Sequence, residues 1–119
     1  MAIEGTFLRI YVRESQRCHG LLAWEWLLER ANHLGIRGGS AFRAMAGFGR
    51  HHHLHEDHFF ELAGTLTVEV EFIVTDDEAH QLLDLIRQEK IRIFYARIPA
   101  RFGVINVDAE DAPGLSANE

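Results

Sequence analysis

Five of the chain's eight histidines fall in one run, Arg50-His51-His52-His53-Leu54-His55-Glu56-Asp57-His58. Neutral imidazole binds zinc, copper and nickel, and a nearby carboxylate can complete the shell. In a strand His51, His53 and His55 share a face; in a helix His51, His55 and His58 do. Either arrangement offers three donors, and an oligomer can pool them around an axis. The candidate ligands for a divalent transition metal are therefore His51, His53, His55 and His58. The competing reading is a solvated polar loop, because the spacing matches no zinc signature. The same imidazoles titrate near ~6.5, so the run is also a pH-dependent charge. With Glu56 and Asp57 they are the only acid–base candidates that stand out. There is no nucleophile elbow, HExxH motif or dinucleotide fingerprint, so catalysis is not expected.

Gly47-Phe48-Gly49 has the composition of a turn that lets backbone N–H groups approach a phosphate. It is not a Walker motif, since no Gly-Lys-Ser/Thr follows. Arg9, Arg43, Arg97 and Arg101 are candidate phosphate partners, as guanidinium forks match phosphate oxygens. Cys18 lies between Arg17 and His19 and is read as unreactive. Trp24 and Trp26 are read as core or interface residues.

These groups need a scaffold, and the hydrophobic pattern supplies one. Thr6 to Val12 reads as a strand with Leu8, Ile10 and Val12 on the core face. Leu21 to Leu34 reads as a helix ended by Gly35, its apolar stripe wide enough for burial on more than one side. Ser40 to Ala46 reads as a second strand. A long polar loop or hairpin extension then fills Gly47 to Gly64. Leu66 to Val74 alternates cleanly as a third strand. Thr75-Asp76-Asp77-Glu78 is a capping box, opening a helix to about Glu89 on Ala79, Leu82, Leu83 and Ile86. Ile91 to Ile98 reads as a fourth strand ended or edged by Pro99, and Phe102 to Val107 as a short extra one. The β-α-β-β-α-β order predicts an α+β ferredoxin-like sandwich, an antiparallel sheet with both helices on one face. Apolar residues on both sides of several strands predict an oligomer.

Composition narrows the function classes. The 119 residues suit one domain, expected over residues 1–107, followed by an acidic, disordered tail over 108–119. The net charge of −6 argues against a nucleic-acid partner. Four of the 18 acids lie in the last twelve residues, so the charge belongs largely to the tail. No apolar run suits a membrane span, no secretory leader is evident, and the single cysteine suits a reducing, cytoplasmic setting.

Specific residues also resemble a known family. Leu8-Arg9-Ile10-Tyr11, Glu14-Ser15, Gly20, Glu29-Arg30-Ala31, Gly35, Gly38, Arg43, Gly47-Phe48-Gly49, Leu54-His55, Leu62, the strand Val68 to Val74 and Thr75 together resemble the domain of unknown function 190 family. The resemblance spans about residues 6–98. It implies a PII-like, non-enzymatic signalling protein that assembles as a homotrimer. It further implies adenine nucleotide or metabolite binding in clefts between subunits, and a 47–64 loop that engages a membrane transporter or an enzyme. On this reading Arg9, Arg43, Gly47, Phe48, Gly49 and His55 are the ligand-binding candidates. The sequence departs from the family at Leu21 and Leu22, where a basic residue and a proline are common, and at Ala44 and Ala46. Only His55 of the clustered histidines matches a family histidine. The alternatives are a metal-responsive regulator using the histidine run and a small ferredoxin-like enzyme.

Overall fold

The computed structural model describes residues 2–48, 55–56 and 66–110, with 55–56 placed by their backbone alone. In chain order the elements are β1 (Ile3–Arg13), β2 (Arg17–Cys18), β3 (Leu21–Leu22), α1 (Ala23–His33), β4 (Ser40–Arg43), β5 (Ala46–Gly47), β6 (His55–Glu56), β7 (Thr67–Val74), α2 (Asp76–Gln88) and β8 (Phe94–Phe102). Four of the strands form one antiparallel sheet in the order β4-β7-β1-β8.

Side-chain alternation explains where the core lies. Thr6, Leu8, Ile10 and Val12 of β1 are buried, as are Val68, Val70, Phe72 and Val74 of β7. The register sets Leu8 opposite Phe72, Ile10 opposite Val70 and Val12 opposite Val68. The apolar residues of these rows form one cluster with Ala23, Trp26, Leu27 and Ala31 of α1 and Ala79, Leu82, Leu83 and Ile86 of α2. Both helices therefore cover the same face, and the α+β ferredoxin-like expectation holds.

Helix ends follow local chemistry. Gly35 adopts a left-handed φ of +85°, while Ile36 N–H donates to Ala31 and Gly35 N–H to Asn32. That is a Schellman stop, with Ile36 buried against the core. Thr75 closes the expected capping box: its Oγ1 accepts from Glu78 N–H, and the Glu78 carboxylate accepts from Thr75 N–H.

Several boundaries differ from the sequence reading. The first strand starts at Ile3 rather than Thr6, and the last starts at Phe94 rather than Ile91. The second stops at Arg43, with Ala46–Gly47 in a separate two-stranded sheet. The first helix starts at Ala23, because Leu21 and Leu22 instead pair with Cys18 and Arg17 across a tight hairpin. The last strand runs through Pro99 to Phe102, which is tolerated because β8 is an edge strand. The extra strand expected over Phe102 to Val107 is replaced by a turn, with Asn106 at φ +57° and Ala109 N–H donating to its carbonyl. The tail beyond 110 and most of the 47–64 loop lie outside the described residues.

Thr75→Ala removes one side of the capping box without touching the core. It should cost about 1 kcal/mol of unfolding free energy with an unchanged denaturant slope, measured by urea titration.

Candidate functional site

The second face of the sheet has no helix over it among the described residues. Phe42, Ile73, Phe94 and Ile98 are exposed there, with Phe7 and Tyr11 half-buried among them. Within this apolar surface lies a charged group. Arg9 donates to Glu69 through a guanidinium N–H, and its Nε sits 3.5 Å from Glu71 Oε1. That second contact is an ion pair whose geometry leaves Nε without a hydrogen bond. Alternation along β7 forces Glu69 and Glu71 onto one side, and the β1 register brings Arg9 and Tyr11 opposite them.

The two carboxylates share their environment unequally. Hydrogen bonding to Glu69, burial and the like charge hold Glu71 above the usual carboxylate range. Glu69 is held below that range, chiefly by the hydrogen bond from Glu71, with Arg9 and Tyr11 adding to it. Burial and the bond to Glu69 push the Tyr11 hydroxyl up.

A cleft of about 370 Å³ opens beside this group, lined by Phe7, Arg37, Gly38, Gly39, Glu71 and Ile73, among others. Gly39 is sterically required: a Cβ there would overlap the Phe72 ring and stand 3.1 Å from Leu28 Cδ2. In the sequence Gly38-Gly39 reads only as a break before a strand. The double glycine next to Arg37 is the available signal for this cleft.

Arg9 and Arg43, paired above as phosphate candidates, do not converge within one chain. Arg9 opposes Glu71 on the open face, whereas Arg43 opposes Val68 and so stands on the other face. Arg43 Nε donates to Glu14 Oε1 at 2.8 Å, which ties the end of β4 to the turn after β1. Gly47 is a strand residue paired with His55, and its φ is not left-handed, so it is not the turn glycine expected. Phe48 is exposed beside it. Gly49, His51, His53 and His58 lie outside the described residues, as does the His55 side chain.

Two further groups escape the sequence reading. A cleft of about 300 Å³ is lined by Gly5, Thr6, Asp76, His80, Arg97 and Pro99. Its Asp76 accepts from Thr6 Oγ1 at 2.7 Å, a bond joining β1 to the start of α2. Elsewhere Cys18, His19 and Glu89 converge, although Glu89 is far from the other two in sequence. Burial and the adjacent Glu89 carboxylate push the Cys18 thiol up.

The β4-β7-β1-β8 sheet, its two helices on one face and the β5–β6 extension between β4 and β7 define a PII-like fold. Solved structures agree with this. CPII, a nitrogen regulatory PII-like protein from Thiomonas intermedia K12 bound to ADP, AMP and bicarbonate, is similar at a TM-score of 0.64 and 17% identity, covering 87% of this chain and 92% of that one. A putative PII-like signaling protein from Thermus thermophilus is similar at a TM-score of 0.58 and 16% identity, over 85% of this chain and 90% of that one. A "UPF0166 protein" of Aquifex aeolicus (strain VF5) is 32% identical over 85 residues, 71% of this chain and 81% of that protein. The chain belongs to the DUF190 family, described as "Uncharacterized ACR", whose family model matches residues 5–93.

The carboxylate pair yields a pH test. Glu71 is raised above its ordinary 4.5, so its contribution is fully present below 4.5 and is lost as pH rises through the raised value. Glu71→Gln fixes the neutral form. At neutral pH this variant should melt higher than the parent, and the gap should close on acidification below 4.5. Thermal melts across that pH range check it. Glu69→Gln removes the partner of Arg9 and should melt lower at neutral pH.

Proposed function

We propose that the protein is a PII-like, non-enzymatic sensor. It assembles as a homotrimer and binds an adenine nucleotide, with or without a small anion, in clefts between subunits. Occupancy is relayed through the 47–64 loop to a transporter or an enzyme. The observation that carries this reading is the fold itself, shared over most of both chains with CPII bound to ADP, AMP and bicarbonate. A second structure, of CPII bound to ADP and bicarbonate, supports it at a TM-score of 0.60, 17% identity and coverage of 87% and 93%.

The open sheet face suits self-association. Its exposed Phe42, Ile73, Phe94 and Ile98 form the kind of apolar surface that marks an interface. The cleft at Arg37, Gly38 and Gly39 adjoins that face through Phe7, Glu71 and Ile73, so a second copy would form its outer wall. A guanidinium and backbone N–H groups beside two glycines suit a phosphate. Arg43, Gly47 and Phe48 lie where the chain leaves β4 toward the loop, the place from which a bound ligand would act on it. No helix among the described residues is long and apolar enough to cross a membrane, so a transporter would be met as a partner.

Light scattering should return three times the 13.6 kDa chain mass. ADP, AMP or bicarbonate should raise the melting temperature, since a ligand at 100 times its Kd adds about 2.7 kcal/mol to the folded state. Arg37→Ala should reduce the nucleotide-dependent rise while leaving the trimer intact. A monomer that none of the three ligands stabilises overturns the reading.

A further inference from the structure

The β2–β3 hairpin carries donors that the proposed ligand cleft does not use. Cys18 is the chain's single cysteine, and its Sγ lies 3.7 Å from Glu89 Oε1. His19 Nε2 lies 2.7 Å from the same oxygen. One donor atom from each residue falls within 4.8 Å of the other two. A sulfur, an imidazole nitrogen and a carboxylate oxygen thus meet across 71 positions of sequence between Cys18 and Glu89.

The backbone of the hairpin presents them together. His19 and Gly20 have φ of +52° and +80°, the left-handed pair of a two-residue hairpin turn between Cys18 and Leu21. Histidine, like asparagine, is among the residues that accept the left-handed region, so the turn accommodates it at this position. Its ring stacks on Trp26 at a centroid distance of 6.0 Å and an interplanar angle of 27°. The imidazole thus lies over an indole while it addresses a carboxylate.

Electrostatics favours a cation at this point. Glu89 is the C-cap of α2, where the helix already presents the negative end of its dipole. Without a metal, the Cys18 thiol donates a hydrogen bond to Glu89 Oε1 and His19 Nε2 lies against the same oxygen, so this carboxylate already gathers both donors. Two of the three donor separations can be set against those on a metal, and the third, Cys18 to His19, lies within 4.8 Å. On tetrahedral zinc, sulfur and oxygen ligands stand roughly 3.5 Å apart, and nitrogen and oxygen roughly 3.3 Å. The Cys18–Glu89 separation already fits. The His19–Glu89 contact must open by roughly half an ångström to reach that spacing, and the His19 side chain, 61% exposed, has room to swing.

We propose that Cys18, His19 and Glu89 form a three-donor site for a divalent transition-metal ion of the zinc class, with a fourth position open to water or an exogenous ligand. Such a mixed sulfur, nitrogen and oxygen set suits a borderline-soft ion. As the sulfur–metal bond forms, the thiol proton passes to solvent. The site neither requires nor competes with the nucleotide reading, and its test uses no nucleotide.

Cobalt(II) is the probe, added to the full chain. A near-ultraviolet thiolate-to-cobalt band can arise only at Cys18, whatever the loop histidines bind. The band should saturate at one ion per chain and disappear when zinc is added. Cys18→Ser should abolish it. His19→Asn keeps a residue suited to the turn, and Glu89→Gln keeps the cap shape. Each should weaken cobalt binding about tenfold or more, since even a supporting partner of a metal ligand is worth that much. Absence of the band in the parent chain overturns the proposal. So does a band that titrates identically in His19→Asn and Glu89→Gln, which would reduce the site to a lone thiol.

Discussion

The antiparallel ladder between β1 and β7 opposes Leu8 to Phe72, Ile10 to Val70 and Val12 to Val68, and the other elements depend on that register. A slip of one residue would turn every one of these side chains to the far face. Two local features resist the slip. A Cβ on Gly5 would overlap the Val74 carbonyl, so the close approach of the two strands there requires glycine. Thr6 Oγ1 donates to Asp76, fixing the first turn of α2 against the strand. The register thereby also sets where α2 begins, and so where its C-cap Glu89 ends up.

The same register divides the protein into a face that is complete and a face that is not. On one side α1 and α2 bury the aliphatic rows of β1 and β7. On the other, Phe42, Ile73, Phe94 and Ile98 face outward with the Arg9, Glu69 and Glu71 group among them. The Gly38–Gly39 cleft lies along the incomplete face, at the edge where β4 starts. The ends of β1 and β4 are tied by Arg43 and Glu14, and the backbone of Glu14 donates to Leu66, beside the point where the 47–64 loop returns.

Much of this is legible in the sequence because it is local or periodic. Alternation marks Leu8, Ile10, Val12 and the Val68 to Val74 strand, the capping box marks the start of α2, and Gly35 marks the end of α1. What escapes depends on pairing or distance. Leu21 and Leu22 fit a helical stripe, but the turn at His19 and Gly20 draws them into a hairpin. Pro99 reads as a terminator until its strand is known to lie at the edge. Arg9 and Arg43 look alike as phosphate partners, yet the register separates them onto opposite faces. Cys18 and Glu89 share no motif, since only the packing of α2 against the hairpin brings them together. The histidine run, the clearest compositional signal, lies outside the described residues save for the backbone of His55 and Glu56, and so stays an expectation from sequence.

A charged group among apolar side chains raises the question of what covering it would cost. An unpaired charge taken out of water at an interface is strongly unfavourable unless the partner supplies its counter-charge. Here the pairing is already made within one chain: Arg9 holds Glu69 and stands beside Glu71. The group can therefore pass from half-buried to buried with its main partners in place, so a second copy need contribute only apolar contact. The residual cost lies in the second carboxylate, since one guanidinium faces two acids. That imbalance is relieved when Glu71 carries a proton, the form favoured by both its burial and its neighbour. The sheet face is thus an apolar surface with a self-contained polar centre, able to meet an identical surface without a matching pattern of opposite charge.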